Sequence, residues 1–278
     1  MSANGLLAVA VSGRGLVDPG EPVVAPDDEG FTRGRAAFET MRVYDGHPFR
    51  LAQHLARLAG SAERIGLDAP DPREFEALAL LALEHAGAPE SVLRLYWSPG
   101  PPGGDHRAIV LVGPIPGWID EARARGQRLV SLLHPRRSVP WLLPATKSTS
   151  YAVSMAAETE AKARGADDAV FVDADGVVLE GPVTNVWWRE GDVLLTPSTE
   201  VGILAGETRA ALLELAVRGG RVVEEGIYPL ERLRAADEVF TSSSVREVMP
   251  VVSLDGRPLE PGPAAVELQQ ALREEARR

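Results

Sequence analysis

The sequence predicts an α+β protein of two domains, on three observations. The chain runs to 278 residues, enough for two domains at roughly 100–200 residues each. Apolar residues recur at helical spacing in some stretches and alternate in others, with hairpin turns between them. Such a mix, without steady strand–helix alternation, argues against a doubly wound parallel sheet. Finally, Gly113-Pro-Ile-Pro-Gly117 breaks both helix and strand and reads as a connection. These put a smaller N-terminal domain at 1–113, the connection at 114–120 and a larger C-terminal domain at 121–278, each of α/β type.

The elements follow in order. Leu6–Val11 reads as a short strand, followed by a Gly/Pro/Asp-rich connection through Gly30. Phe38–Gly46 alternates and ends in an Asp-Gly turn. Leu51, Leu55, Leu58, Ala62 and Ile65 share a helical face. Asp71-Pro72 supplies an N-cap and a first-turn proline for a second helix to about His85. Ser91–Trp97 and Ala108–Val112 read as paired strands around a Gly/Pro loop. Beyond the connection come a strand near Arg128–Leu133 and a helix over Tyr151–Arg164. Asp168–Asp173 with Val177–Glu180 predicts one hairpin, and Asn185–Trp188 with Val193–Leu195 another. A helix after Gly206 turns Ala211, Leu212, Leu215 and Ala216 inward. Strands near Arg221–Glu225 and Glu238–Thr241 and a final helix from Pro263 complete the chain.

Composition narrows the chemistry. A net charge of −11 argues against nucleic acid or an anionic membrane as partner. Cysteine is absent, which removes disulfides, thiolate nucleophiles and Cys-based metal sites. The five histidines (His47, His54, His85, His106, His134) show no metal-ligand spacing, so no metal is expected. Leu6–Val11 is too short for a signal peptide or a membrane span and lacks a basic leader, so the expected location is the cytoplasm. P-loop, dinucleotide-binding, nucleophile-elbow and zinc-protease motifs are missing. A hydrolase using Ser242–Ser244 would lack a histidine partner.

Of the 29 basic residues only two are lysines, Lys147 and Lys162. Arg serves wherever any cation will do; what it cannot do is lose its proton near neutral pH and attack a carbonyl. Lys162 falls on the charged side of the Tyr151–Arg164 helix. Lys147 follows an apolar Trp-Leu-Leu-Pro run, among small hydroxyl residues, with no acidic partner nearby in sequence. It is either a surface lysine near a helix start or a Schiff-base lysine. Other features suit an anionic ligand, though each has a plainer structural reading. Gly206-Glu207-Thr208 opens a helix, where free N–H groups favour an anion or merely cap. Thr241, Ser242, Ser243 and Ser244 end a strand as donors or as a polar turn. Arg57 stands beside an apolar stripe as a phosphate clamp or a snorkelling side chain. Glu180 ends a Val/Leu-rich strand, either solvating a turn or facing a protonated ring nitrogen.

In order along the chain, Ala37-Phe-Glu-Thr-Met-Arg-Val-Tyr-Asp-Gly46, His54-Leu-Ala-Arg57-Leu, Lys147-Ser-Thr-Ser-Tyr151, Ala166-Asp-Asp-Ala169, Glu180-Gly-Pro-Val-Thr-Asn185, Gly202-Ile-Leu-Ala-Gly-Glu-Thr-Arg209 and Ser244 with Glu247 resemble the class-IV aminotransferase family. These are the fold-type-IV pyridoxal-phosphate enzymes, of D-amino-acid-aminotransferase-like fold. The resemblance spans about Asp28 to Val252. It implies pyridoxal 5′-phosphate (PLP) as cofactor, in the cleft between the domains and in Schiff-base linkage with Lys147, which later moves the substrate's α-proton. Glu180 would face the pyridine nitrogen. Arg57, the Glu207 and Thr208 amides, the Thr208 hydroxyl and Ser244 would hold the phosphate. Tyr151 would lie near the phenolic oxygen, and Asn185 would support the site. Phe38, Thr40, Arg94 and Ser243 would lie on the substrate side. A homodimer is implied by resemblance only.

There are departures from the family pattern. Val183 stands where Ser or Thr is typical, and Arg35 where Asp is frequent. Tyr96-Trp97-Ser98-Pro99 replaces a Thr-Arg-Gly kind of pattern, which bears on specificity. Phe38-Glu39-Thr40 resembles aminodeoxychorismate lyases more than branched-chain aminotransferases, which usually carry Gly at the Thr40 position. The expected activity is therefore 4-amino-4-deoxychorismate lyase, releasing pyruvate and 4-aminobenzoate. The alternatives are an aminotransferase for branched-chain L- or D-amino acids with a keto-acid acceptor, and a non-catalytic PLP-binding member.

Overall fold

The computed structural model describes residues 5–134 and 143–278. They pack as two compact units: Met1–Pro116 with Thr146–Tyr151, and Gly117–Ala145 with Ala152–Arg278.

The first unit is built on a six-stranded, wholly antiparallel sheet. Its strands are β1 (Ala8–Val11), β2 (Gly15–Val17), β3 (Ala37–Tyr44), β4 (His47–Pro48), β5 (Ser91–Ser98) and β6 (Arg107–Gly113), in the order β2-β1-β6-β5-β3-β4. A four-residue α1 (Glu29–Thr32) precedes β3, capped by the Asp28 carboxylate at the Gly30 N–H. Two longer helices, α2 (Leu51–Arg64) and α3 (Pro72–Ala86), cover one face of the sheet. Strand alternation decides what each face carries. Ala37, Met41, Val43, Leu93, Leu95, Val110 and Val112 meet Leu55, Leu58, Ala62, Phe75, Leu78 and Ala82 in one core. The even-numbered residues of β3 and β5 face the other way. The helices end as their sequences foretell: Asp71 accepts from the Arg73 N–H at 2.9 Å, and Gly87 closes α3 in the left-handed region at φ 58°. Asp45 and Gly46, with φ of 49° and 83°, make the tight turn between β3 and β4.

The second unit holds an eight-stranded mixed sheet. Strands β7 (Gln127–Leu133), β8 (Asp168–Val172), β9 (Asn185–Glu190), β10 (Val193–Pro197), β11 (Val222–Gly226), β12 (Glu238–Ser243) and β13 (Glu247–Leu254) run in the order β11-β10-β9-β12-β13-β7-β8. A two-residue β14 (Arg257–Pro258) pairs with β13. Three pairs are parallel: β10 with β11, β13 with β7, and β7 with β8. The helices are α4 (Trp118–Arg125), α5 (Ala152–Ala163), α6 (Glu207–Arg218), α7 (Leu230–Ala235) and α8 (Pro263–Ala276). Ala211, Leu212, Leu215 and Ala216 of α6 are buried as their spacing requires. The α8 N-terminus is held by the buried Glu238 carboxylate, which accepts from the Ala264 and Ala265 N–H groups.

The mixed α/β architecture agrees with the expected fold class. Several elements differ from expectation. Val177–Glu180 is not a regular strand. Its backbone is shared between β8 (Phe171 N–H to Glu180 O, 2.8 Å) and Tyr228 (Val178 N–H to Tyr228 O, 2.9 Å), which leaves isolated bridges where a hairpin was expected. Residues 118–120, read as part of the connection, begin α4. The Lys147 segment, assigned from sequence to the C-terminal domain, packs with the first unit because its backbone pairs with β3. Trp141 and Leu142 of the apolar run before Lys147 lie outside the described residues. Among the described residues no helix is long and apolar enough to cross a membrane.

Candidate active site

Lys147 is half-buried, whereas Lys162 is exposed on α5. The segment around Lys147 lies along the start of β3. Phe38 donates its N–H to the Lys147 carbonyl (3.1 Å), Thr149 donates to the Ala36 carbonyl (2.9 Å), and Ala37 and Ser148 form an antiparallel bridge. The Lys147 N–H bonds to Ser61 Oγ on α2 at 3.2 Å. Gly34, with φ of 68°, admits the Ser150 backbone to a distance that a Cβ would forbid. These bonds fix the lysine backbone and bring Nζ over the Phe38 ring, 4.3 Å from its centroid. Tyr151 meets the same ring edge-on, with centroids 5.5 Å apart. A ring face attracts an ammonium but offers no counter-charge.

Thr40 stands directly across from Arg94, and Phe38 across from Tyr96. All four are half-buried and share the sheet face turned away from α2 and α3. The side chains of Thr40 and Arg94 have no hydrogen-bond or ion-pair partner among the described residues. A half-buried guanidinium without a counter-ion is unusual, because charge removed from water is normally paired. Val9, Val11 and Ile109 are buried beside these residues in an apolar cluster, with Leu111 and Tyr96 packed against it.

On the helix-covered face of the same strand, Glu39 is 0% exposed. It accepts a forked pair of bonds from Arg57 (Nε and Nη2, 2.7 Å each) and a third contact from His54 Nδ1 at 2.7 Å. Burial by itself would raise the Glu39 pKa, but the hydrogen bonds and charges of Arg57 and His54 outweigh it and hold the pKa down to about 2. Arg57 is therefore a partly buried side chain held by Glu39, not a snorkelling surface one. Its Nε and Nη2 are tied to Glu39. Glu39 and His54 had no assigned role in the sequence reading. The signal was present: a carboxylate at an inward strand position requires cations, and His54 and Arg57 sit one helical turn apart.

In the second unit, Glu180 and Asn185 are joined to the loop before α6. The Leu204 N–H donates to Glu180 Oε2 at 3.1 Å, while Asn185 Nδ2 donates to the Leu204 carbonyl at 3.0 Å. Gly206 is the N-cap of α6 with no side-chain capping bond, followed by Glu207 and the buried Thr208. Arg209, 4% exposed, bonds the Pro197 carbonyl and Glu225 and so pins this first turn to the sheet. A helix start with no side-chain cap at Gly206 and a hydroxyl in its first turn is of a kind that suits a phosphate.

Ser243 ends β12, paired with Glu247, and Ser244 begins the β12–β13 turn. Ser243 Oγ accepts from the Arg246 N–H at 3.3 Å. The turn is anchored by Glu247, fully buried at φ 56° and bonded to Arg123, Arg273 and Gln269. Arg123 also bonds the Arg246 carbonyl. Two of the hydroxyls offered to an anion serve packing instead. Thr241 bonds Gln127, and Ser242 accepts from Trp187 Nε1.

The first cluster thus holds an amine over an aromatic ring and a guanidinium without a counter-ion among the described residues, and the second a carboxylate joined to the loop before a helix start of a kind that suits an anion. Comparison with known proteins identifies the class. The family model for amino-transferase class IV matches residues 36–254, and the chain belongs to that family. It is a PLP-dependent enzyme, with PLP as cofactor.

Among individual proteins, the chain is 35% identical over 266 residues to the bifunctional aminodeoxychorismate lyase / D-amino acid transaminase of Mycobacterium tuberculosis, covering 90% of this chain and 92% of that one. It is 32% identical to a putative branched-chain-amino-acid aminotransferase of Methanocaldococcus jannaschii, over 87% of this chain and 86% of that one. Among solved structures, a hypothetical aminotransferase from Mycobacterium tuberculosis in its alpha-ketoglutarate and PMP bound form superposes with a TM-score of 0.92 at 33% identity, covering 97% and 98% of the two chains.

Proposed function

We propose that this enzyme is a 4-amino-4-deoxychorismate lyase. The observation that supports this reading is the sheet face beside Lys147. Thr40 and Arg94 offer a hydroxyl and a positive charge unpaired among the described residues, next to an aromatic floor, a setting for a cyclic substrate that carries carboxylates. The residues fit PLP by their donor chemistry. Arg57, the Glu207 and Thr208 amides, the Thr208 hydroxyl and Ser244 would hold its phosphate. Glu180 would sit at its ring nitrogen with Asn185 in support, and Tyr151 near its phenolic oxygen. Bound through Lys147, PLP supplies the electron sink for the pair left behind when a proton departs from the carbon bearing the substrate amine.

The chain's own part is proton transfer and positioning. Freed when the substrate amine takes its place, Lys147 Nζ would remove the proton from that carbon. The neighbouring C–O bond breaks, the ring becomes aromatic, and the departing enolpyruvate takes up a proton to become pyruvate. Arg94 holds a substrate carboxylate, Phe38 underlies the ring, and Thr40 and Ser243 lie on the substrate side.

A second activity of the same site, D-amino acid transamination, is favoured by one observation: the relative at 35% identity is named for both reactions. We further propose a cytoplasmic homodimer.

Holoenzyme supplied with aminodeoxychorismate should release equal amounts of pyruvate and 4-aminobenzoate. Bleaching by an amino acid, reversed only by a keto acid, with no 4-aminobenzoate formed, would make it a transaminase instead. Lys147→Ala should keep the circular dichroism of the wild type, lose the yellow band that borohydride abolishes, and fall by at least ~10³-fold in turnover. Turnover near wild type in this variant would refute the assignment.

A further inference from the structure

One of the departures from the family pattern, at Tyr96, lies on the same sheet face as Phe38, Thr40 and Arg94. Tyr96 sits two residues beyond Arg94 on β5, so both point the same way and their Cα atoms are roughly 7 Å apart. Its ring stacks on Phe38, centroids 5.8 Å apart and planes 16° from parallel. The Phe38 ring in turn meets Tyr151 and lies under Lys147 Nζ. Behind Tyr96 is the apolar cluster of Val9, Val11, Ile109 and Leu111, which fixes the ring. The Tyr96 hydroxyl has no hydrogen-bond partner among the described residues, and the same holds for Arg94. A phenol tip is normally bonded when it leaves bulk water. Burial raises its pKa against the opposing pull of Arg94, so at neutral pH it is a donor.

We infer that Tyr96 is a specificity-determining residue of this site, its hydroxyl donating, beside Arg94, to the carboxylate of a planar or cyclic substrate whose ring lies along the Phe38–Tyr96 stack. This rests on the proposed lyase reading and deepens it by naming the substrate class. A small aliphatic amino acid makes no use of the stack. A benzoate-like acid uses the stack, the guanidinium and the hydroxyl together.

Two variants separate these contributions. Tyr96→Phe keeps the stack and removes only the hydroxyl; Tyr96→Thr removes both ring and wall. Each is compared with wild-type holoenzyme in two ways: steady-state kinetics with aminodeoxychorismate and with D-alanine, and calorimetric binding of 4-aminobenzoate, which has no leaving group. With Tyr96→Phe, KM for aminodeoxychorismate and Kd for 4-aminobenzoate should each rise ~10-fold, with kcat and the D-alanine reaction changed by less than about twofold. Tyr96→Thr should weaken 4-aminobenzoate further, again sparing D-alanine. Equal effects on both substrates would mark a structural role and overturn the inference, as would an unchanged Kd in both variants or no binding of 4-aminobenzoate to wild type. If 4-aminobenzoate binding depends on Tyr96 but aminodeoxychorismate is not turned over, the lyase reading fails and the role of Tyr96 stands.

Discussion

At Glu39 a carboxylate is taken wholly out of water and kept charged. With a folded pKa of about 2 against an ordinary 4.5, the depressed value means that the group contributes stability above pH 4.5. That contribution disappears as the pH falls towards 2. At about 1.4 kcal/mol per unit the contribution is about 3 kcal/mol. Glu39→Gln should therefore lower stability at neutral pH and flatten the decline of unfolding free energy between roughly pH 5 and 2. Denaturant titrations across that range would show it, and an acid limb as steep as the wild type would contradict the ion-pair account. The same variant should loosen Arg57, so PLP affinity measured by absorbance should weaken as well. Lys147 and Thr208 stand out as candidates in the sequence because a rare residue type and a helix start announce themselves, whereas Arg57 and Glu180 are weak signals singly and gain their proposed roles through the family resemblance. Glu39 was not legible, because its meaning lies in an inward-facing strand register and in two cations contributed by another element.

Among the elements, α2 and α3 follow directly from apolar spacing and from the Asp71 cap. The eight-residue β13 was missed, since Pro250 breaks a strand pattern. The structure resolves the conflict: Pro250 pairs with Phe240 of β12, whereas the β7 ladder begins only at Val251, so no second neighbour requires its missing N–H. The start of α6 is specified by closeness of approach. Gly206 has ordinary negative φ, yet a Cβ there would strike Asn185 Oδ1. Gly206→Ala should displace Asn185 from Leu204 and disturb Glu180 through the same loop. We expect ~10-fold weaker PLP binding with a melting temperature lowered by only a few degrees. Unaltered cofactor affinity would mean that the loop accommodates the methyl group elsewhere.

For the molecule as a whole, the mixed α/β class was readable from hairpin signals and helical spacing. The parallel pairs of the second sheet were not, because parallel partners are far apart in sequence and no turn marks them. The same holds for the docking of residues 146–151 on β3, where a hundred residues separate the partners in the chain. That docking has a kinetic side. The β3 edge is paired by β4 near Val43 and Tyr44, and by the Lys147 segment near Ala36–Phe38. A ribosome delivers β3 long before the segment that completes this edge, and closing so long a loop is entropically slow. During refolding, most β-sheet ellipticity should therefore return before Lys147 can be trapped by borohydride with added PLP; simultaneous recovery would contradict this order. Until the lysine arrives, β3 presents open hydrogen-bonding groups of the kind through which partly folded chains aggregate. The stretch that carries the reactive amine is thus also the seal on a sticky edge, and the nascent chain is most vulnerable to self-association just before it gains its chemistry.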